Sequence, residues 1–245
     1  MKGKINAKDR LIFALDVPDL ETAIPLLDEL EGKIGMVKVN SLAAACPEIV
    51  SIVQERKIGV WRDWKHKDIP GTVKSFIKAD VEADLVMTTV HADGGIKMMA
   101  YAAEGAKGSN LKILAVTVLT SIDQNTFNEE LGVSGEIVDK VVRYALNAEY
   151  AGLDGVVASA QEAKMLRENL DLETLIVTPG IKPTWAAKRK DQARVTTPYE
   201  AIMDGASHLV VGSAIRKAKE YNRTPGRAAE EIVAEIDKSL ADRSF

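Results

Sequence analysis

The chain has 245 residues, 46% hydrophobic and 28% charged, which suits one soluble domain with a large core. Thirty-two Lys and Arg oppose 36 Asp and Glu, so the net charge of −4 offers no basic surplus for general nucleic-acid or membrane-surface binding. Cys46 is the single cysteine, which excludes an intrachain disulfide, and no apolar run approaches the roughly 20 residues of a membrane span.

Eight short β-rich runs recur along the chain. They are Leu11–Asp16, Gly35–Val39, Gly59–Asp63, Leu85–Val90, Lys112–Thr117, Gly155–Ala158, Thr174–Thr178 and Ser207–Val211. None alternates cleanly between apolar and polar residues, as expected of parallel strands covered on both faces. A helix-period segment follows each. Asp16 or Asp19 caps a helix running through Glu31, and Pro47–Arg56 sets Ile49, Val50, Ile52 and Val53 on one face. Pro70 opens the next helix at a favoured first-turn position. Ser134–Ala151, Ala160–Asn169, Thr197–Asp204 and Gly226–Leu240 continue the series. Strict strand–helix alternation implies a closed barrel or a doubly wound sheet, and the count of eight favours a (β/α)8 barrel, one domain over residues 1–245. The longest irregular stretch, Gly180–Thr197, has the length of a functional or mobile loop. The opening MKGKINAKDR runs straight into an apolar strand rather than a signal-peptide core. With the lone cysteine, this points to a reducing, cytoplasmic location.

The chemistry gathers at the strand ends, where such barrels keep their active sites. Strand one ends at Asp16, strand two carries Lys38, and strand three carries Asp63 and Lys65 within a D-x-K-x-x-D pattern completed by Asp68. Side chains two apart on a strand point the same way, so Asp63 and Lys65 are expected on one face. Charged residues at strand ends are also what a solvated rim carries, and Asp16 or Lys38 alone has a second, weaker reading as a loop-initiating residue. Two carboxylates and two lysines on three consecutive strands suggest an alternating array of Asp16, Lys38, Asp63 and Lys65. His91 reads first as a packing residue, His66 as outward-facing and His208 as barrel wall. Thr120 and Ser121 follow strand five, Pro179 and Gly180 follow strand seven, and Gly212 and Ser213 follow strand eight. The glycines there either expose backbone N–H groups to a phosphate or are ordinary turn residues. No G-x-G-x-x-G, Walker loop, H-E-x-x-H or paired-Cys motif occurs, so no cofactor or metal is expected.

These motifs together resemble the orotidine 5′-monophosphate decarboxylase family over nearly the whole length. The resemblance rests on LIFALDV (11–17), VKV (37–39) and Asp63 through Thr72. It also rests on Val90-His91-Ala92 before Gly94-Gly95, and on Val118-Leu119-Thr120-Ser121. Thr178 through Pro183, Asp191-Gln192 and Val211-Gly212 complete it. It implies a cofactor-free barrel homodimer acting on a nucleotide. Asp16 and Lys38 would contact the ribose and orient the charge array, while Asp63 and Lys65 would face the scissile carboxylate and C6. Asp68 and Thr72 would act in the neighbouring subunit's site. Ser121, beside Thr120, would bond the pyrimidine, and Gln192 would bridge base and phosphate. Pro179 would bind substrate, and Gly212 and Ser213 would border the phosphate.

The chain departs from the family pattern in places. Ser213 stands where the family has a phosphate-gripping Arg, with Arg216 expected to lie along its helix rather than replace it. Asn40 replaces a usual Gly. Asp93 adds a negative charge near the expected site of an anionic substrate. Two other readings stay open. One is a sister sugar-phosphate decarboxylase or aldolase using a divalent metal; the other is a ligand-binding relative with weakened phosphate recognition.

Overall fold

The computed structural model describes residues 6–186 and 196–243. Its strands are β1 (Leu11–Ala14), β2 (Met36–Val39), β3 (Gly59–His66) and β4 (Met87–His91), then β5 (Lys112–Val116), β6 (Gly155–Val157), β7 (Leu175–Thr178) and β8 (His208–Val211). They neighbour one another in chain order, and the order closes as a barrel, the (β/α)8 fold expected from the alternation. Between them run α1 (Leu20–Leu30), α2 (Ser41–Ala45), α3 (Ile49–Glu55), α4 (Pro70–Glu82) and α5 (Gly95–Gly105). α6 (Ile137–Tyr150), α7 (Ala163–Asn169), α8 (Pro198–Met203), α9 (Ser213–Arg216) and α10 (Pro225–Asp242) follow. Backbone packing groups the chain into two compact units, Met1–Asp63 with Thr178–Phe245, and Trp64–Val177.

In the first unit β1 pairs in parallel with β2 (Phe13 opposite Val37) and with β8 (Phe13 opposite Val211), and β2 pairs with β3 (Lys38 opposite Trp61). Phe13, Val37, Val211 and Trp61 are all buried, which accounts for the apolar strands without alternation. The 3-10 turn Ala7–Arg10 runs so close to β2 that a Cβ at Gly35 would sit 2.5 Å from the Asp9 Cα, so only glycine fits there. Asp19, not Asp16, caps α1 by accepting from the Thr22 N–H at 2.8 Å. That leaves the Asp16 carboxylate available for the strand end.

The helix expected over Pro47–Arg56 is α3, which starts at Ile49, and a separate α2 precedes it. Proline disfavours helical backbone in the residue before it, and Cys46 accordingly sits at φ −134°, ψ 80° between the two. Thr197 and Thr224 cap α8 and α10, each followed by proline at the first helical position.

In the second unit β4, β5, β6 and β7 pair in parallel, and α4 packs against α5. Pro70 opens α4 as expected, and its buried residues are Val73, Ile77 and Asp80. The helix expected from Ser134 begins at Ile137, and Ser159 with Glu162 forms a capping box ahead of α7. β3 runs three residues past its expected end at Asp63. That extension carries Lys65 within the strand.

Candidate active site

The carboxyl ends of β1, β2 and β3 bring three charged residues together. The Leu15 N–H donates to the Lys38 carbonyl at 3.0 Å, continuing the β1–β2 ladder and placing Asp16 just past its end. Lys38 Nζ lies 3.3 Å from Asp63 Oδ2 and 3.8 Å from Asp16 Oδ1. The Lys38 and Asp63 side chains are 13% and 9% exposed, whereas Asp16 is 56% exposed. One ammonium between two carboxylates is how such charges tolerate burial, since each offsets the other's lost hydration. The reading of Asp16 and Lys38 as unrelated loop-initiating residues does not fit this geometry.

Lys65 lies two residues beyond Asp63 on β3, half-buried. Its backbone is left-handed, φ 51°, uncommon for a residue with a Cβ. Its N–H donates to Thr89 Oγ1 at 3.0 Å, and Thr89 is fully buried in β4. Sequence alone gives no sign of Thr89, because threonine in an apolar strand reads simply as a strand former.

His66 is not outward-facing as expected. It is 8% exposed, and its Nε2 is 3.1 Å from Asp80 Oδ2, which also accepts from Thr88 Oγ1 at 2.7 Å. The ring stacks on Phe76, with centroids 5.0 Å apart. The physical reason is Asp80, 2% exposed on the inner face of α4, which needs buried donors. A carboxylate in register with Val73 and Ile77 on an amphipathic helix is the signal that could have revealed it.

Of the remaining candidates, Asp68 is exposed and its Oδ1 accepts from the Ile69 N–H at 2.6 Å. Thr72 is half-buried in the first turn of α4, and Thr120 and Ser121 are exposed after β5. Pro179 is half-buried after β7, followed by Gly180 at φ 79°. Gly212 is half-buried and Ser213 exposed at the start of α9. Gln192 lies outside the described residues. Arg216, expected to lie along its helix, instead donates from its guanidinium to the Asp16 carbonyl just past the end of the neighbouring strand β1. Asp93 is not an uncompensated charge, since Lys67 Nζ sits 2.6 Å from it and His91 Nδ1 3.9 Å. Among the described residues, no group of three His, Cys, Asp or Glu side chains is placed to hold a metal ion.

Comparisons with known proteins place the chain in a family. The orotidine 5′-phosphate decarboxylase / HUMPS family model matches residues 9–232. The chain is 44% identical to orotidine 5′-phosphate decarboxylase of Moorella thermoacetica, over 96% of this chain and 94% of that protein. It is 39% identical to the enzyme of the same name from Syntrophomonas wolfei, over 96% and 100%. Among solved structures, orotidine 5′-phosphate decarboxylase from Lactobacillus acidophilus superposes with a TM-score of 0.81 at 33% identity, covering 93% of this chain and 98% of that one. With the family model spanning most of the chain and two full-length relatives near 40% identity, the chain belongs to the orotidine 5′-phosphate decarboxylase / HUMPS family.

Proposed function

We propose that this chain is a carboxy-lyase that converts orotidine 5′-monophosphate to UMP in pyrimidine biosynthesis, without a cofactor, as one (β/α)8 domain. The observation that carries the reading is the charge array. Lys38 Nζ stands between Asp63 and Asp16, and Lys65 follows on the same strand as Asp63. The full-length relatives bearing the decarboxylase name favour this reaction over the metal-dependent sugar-phosphate reading.

The chemistry needs no redox partner. The bond from C6 to the carboxylate breaks, CO2 leaves, and the electron pair stays on C6 with no adjacent electron sink. An ammonium held beside C6 stabilises that charge and donates a proton to it, the role we assign to Lys65. Solvent then reprotonates the lysine. Asp63 faces the departing carboxylate, while Lys38 fixes Asp63 and, with Asp16, holds the ribose. Thr120 and Ser121 bond the pyrimidine, joined by Gln192. Pro179, Gly212 and Ser213 border the phosphate, and binding energy gathered there helps lower the remote barrier.

Asp68 and Thr72 act in the neighbouring site of a homodimer. Exposed apolar side chains flank them: Ile69 is 70% exposed, and Trp64 and Phe76 lie on the same element pair. A covered position would suit these side chains better than water. The compartment is the cytoplasm, in keeping with the single cysteine.

The test is the ultraviolet absorbance of orotidine 5′-monophosphate incubated with purified protein and EDTA. Loss of the orotate band with formation of UMP is expected. No change at high enzyme and substrate, with turnover of a sugar phosphate on adding Mg²⁺, would move the chain to the metal-dependent reading.

A further inference from the structure

We infer that Thr89 is a positioning residue for Lys65, and that its buried hydroxyl holds the left-handed backbone that aims the Lys65 ammonium. The inference rests on the decarboxylase reading for the role of Lys65, but its geometry stands on β3 and β4 alone. A strand N–H ordinarily finds a carbonyl on the adjacent strand. At Lys65, whose φ is 51°, the N–H donates to a side-chain acceptor on the adjacent strand, Thr89 Oγ1, 3.0 Å away. Thr89 is 0% exposed, so water does not compete for the amide. Without that acceptor, the left-handed backbone loses a buried bond that holds it, and extended backbone becomes the more favourable state. Such a change in φ swings the Cα–Cβ bond, and four methylenes carry the error to the ammonium.

The neighbouring residue is fixed from the other side of the strand. Thr88, adjacent to Thr89 in β4, donates to Asp80 Oδ2 at 2.7 Å, and that oxygen lies 3.1 Å from His66 Nε2. The two threonines thus send their hydroxyls in opposite directions, as neighbours on a strand do. One anchors the side chain of residue 66 and the other anchors the main chain of residue 65. Left-handed non-glycine backbone persists only where its surroundings over-determine it, and these paired anchors supply that constraint.

The experiment compares wild type, Thr89→Val and Thr89→Ser. Valine keeps the shape and removes the acceptor, whereas serine keeps the acceptor. Thr89→Val is expected to lower kcat about 10- to 100-fold while KM and the affinity for UMP stay within about threefold, and Thr89→Ser is expected to restore kcat to within about threefold of wild type. A crystal structure of Thr89→Val should show the Lys65 φ leaving the left-handed region. If valine disrupts folding, Thr89→Ala against Thr89→Ser carries the same comparison. Unchanged kcat without the hydroxyl, a serine variant as slow as the one lacking the hydroxyl, or an unmoved Lys65 φ would each overturn the inference. Wild-type protein inactive on orotidine 5′-monophosphate would instead sink the decarboxylase reading, and the Lys65 φ in Thr89→Val would then decide the role of Thr89 by itself.

Discussion

Lys38 Nζ sits 3.3 Å from Asp63 Oδ2, and both side chains are almost withdrawn from water. Removing one partner of such a pair leaves the other charge buried. We expect Lys38→Met to lower stability by about 3 kcal/mol or more. Asp16→Asn, at the half-exposed end of the same array, should cost less than about 1 kcal/mol. Chemical denaturation of the two variants checks this. Equal losses would mean that the buried lysine matters to stability no more than the exposed carboxylate at the end of the array.

Lys65→Gly should separate activity from stability. Glycine adopts positive φ without the clash that a Cβ suffers, so relieving the 51° backbone should leave the melting temperature unchanged or raised, by up to about 1 kcal/mol in stability. Turnover should vanish, because the proposed proton donor is gone. A variant that retains wild-type turnover would remove Lys65 from the mechanism, and a marked loss of stability would show that the side chain also supports the fold.

Those two sites mark how far the sequence can be read. Lys38 and Asp63 are legible because they fall at the same end of parallel strands, and chain order fixes which strands are neighbours. The barrel is legible for the same reason, since unalternated apolar runs regularly spaced with helices leave few topologies. The left-handed turn at Lys65 is not legible, because no glycine or asparagine marks it and its cause, Thr89, lies 24 residues away. His66 escapes a sequence reading for a similar reason, since its partner Asp80 is 14 residues on, within a different element. Arg216 looks helix-bound because a three-residue offset from Ser213 gives no hint that the Asp16 carbonyl is within its reach.

Ser213 stands exposed at the start of α9, beside Gly212, where the phosphate of the substrate is proposed to sit. Arg216, three residues on, is already engaged with the Asp16 carbonyl. A guanidinium at position 213 would add a charge-assisted, bidentate contact. Ser213→Arg should therefore lower KM about tenfold or more, with little change in kcat. Steady-state kinetics over a range of salt concentrations tests it. An unchanged KM would place the phosphate elsewhere, or show that the existing contacts suffice.

His208 should make the fold acid-sensitive. Its ring is buried in β8, and Nδ1 has no hydrogen-bond partner among the described residues. Burial, with a smaller push from the Arg10 guanidinium, lowers its pKa to about 4. In the unfolded chain the imidazole takes up its proton near the usual value of about 6.5. Between those two values the unfolded state holds a proton that the folded state refuses, so stability falls as the pH drops from about 6.5 to about 4. Above about pH 7 the residue is neutral in both states and contributes no pH dependence. Across the whole window the loss amounts to about 3 kcal/mol. His208→Leu removes the titrating group, although the exchange of shape in a packed strand shifts stability at every pH. Urea denaturation of both proteins at several pH values separates the two effects. The difference between variant and wild type should be constant above about pH 7 and move in the variant's favour as the pH falls. Parallel curves throughout would mean that His208 takes a proton within the fold as readily as outside it.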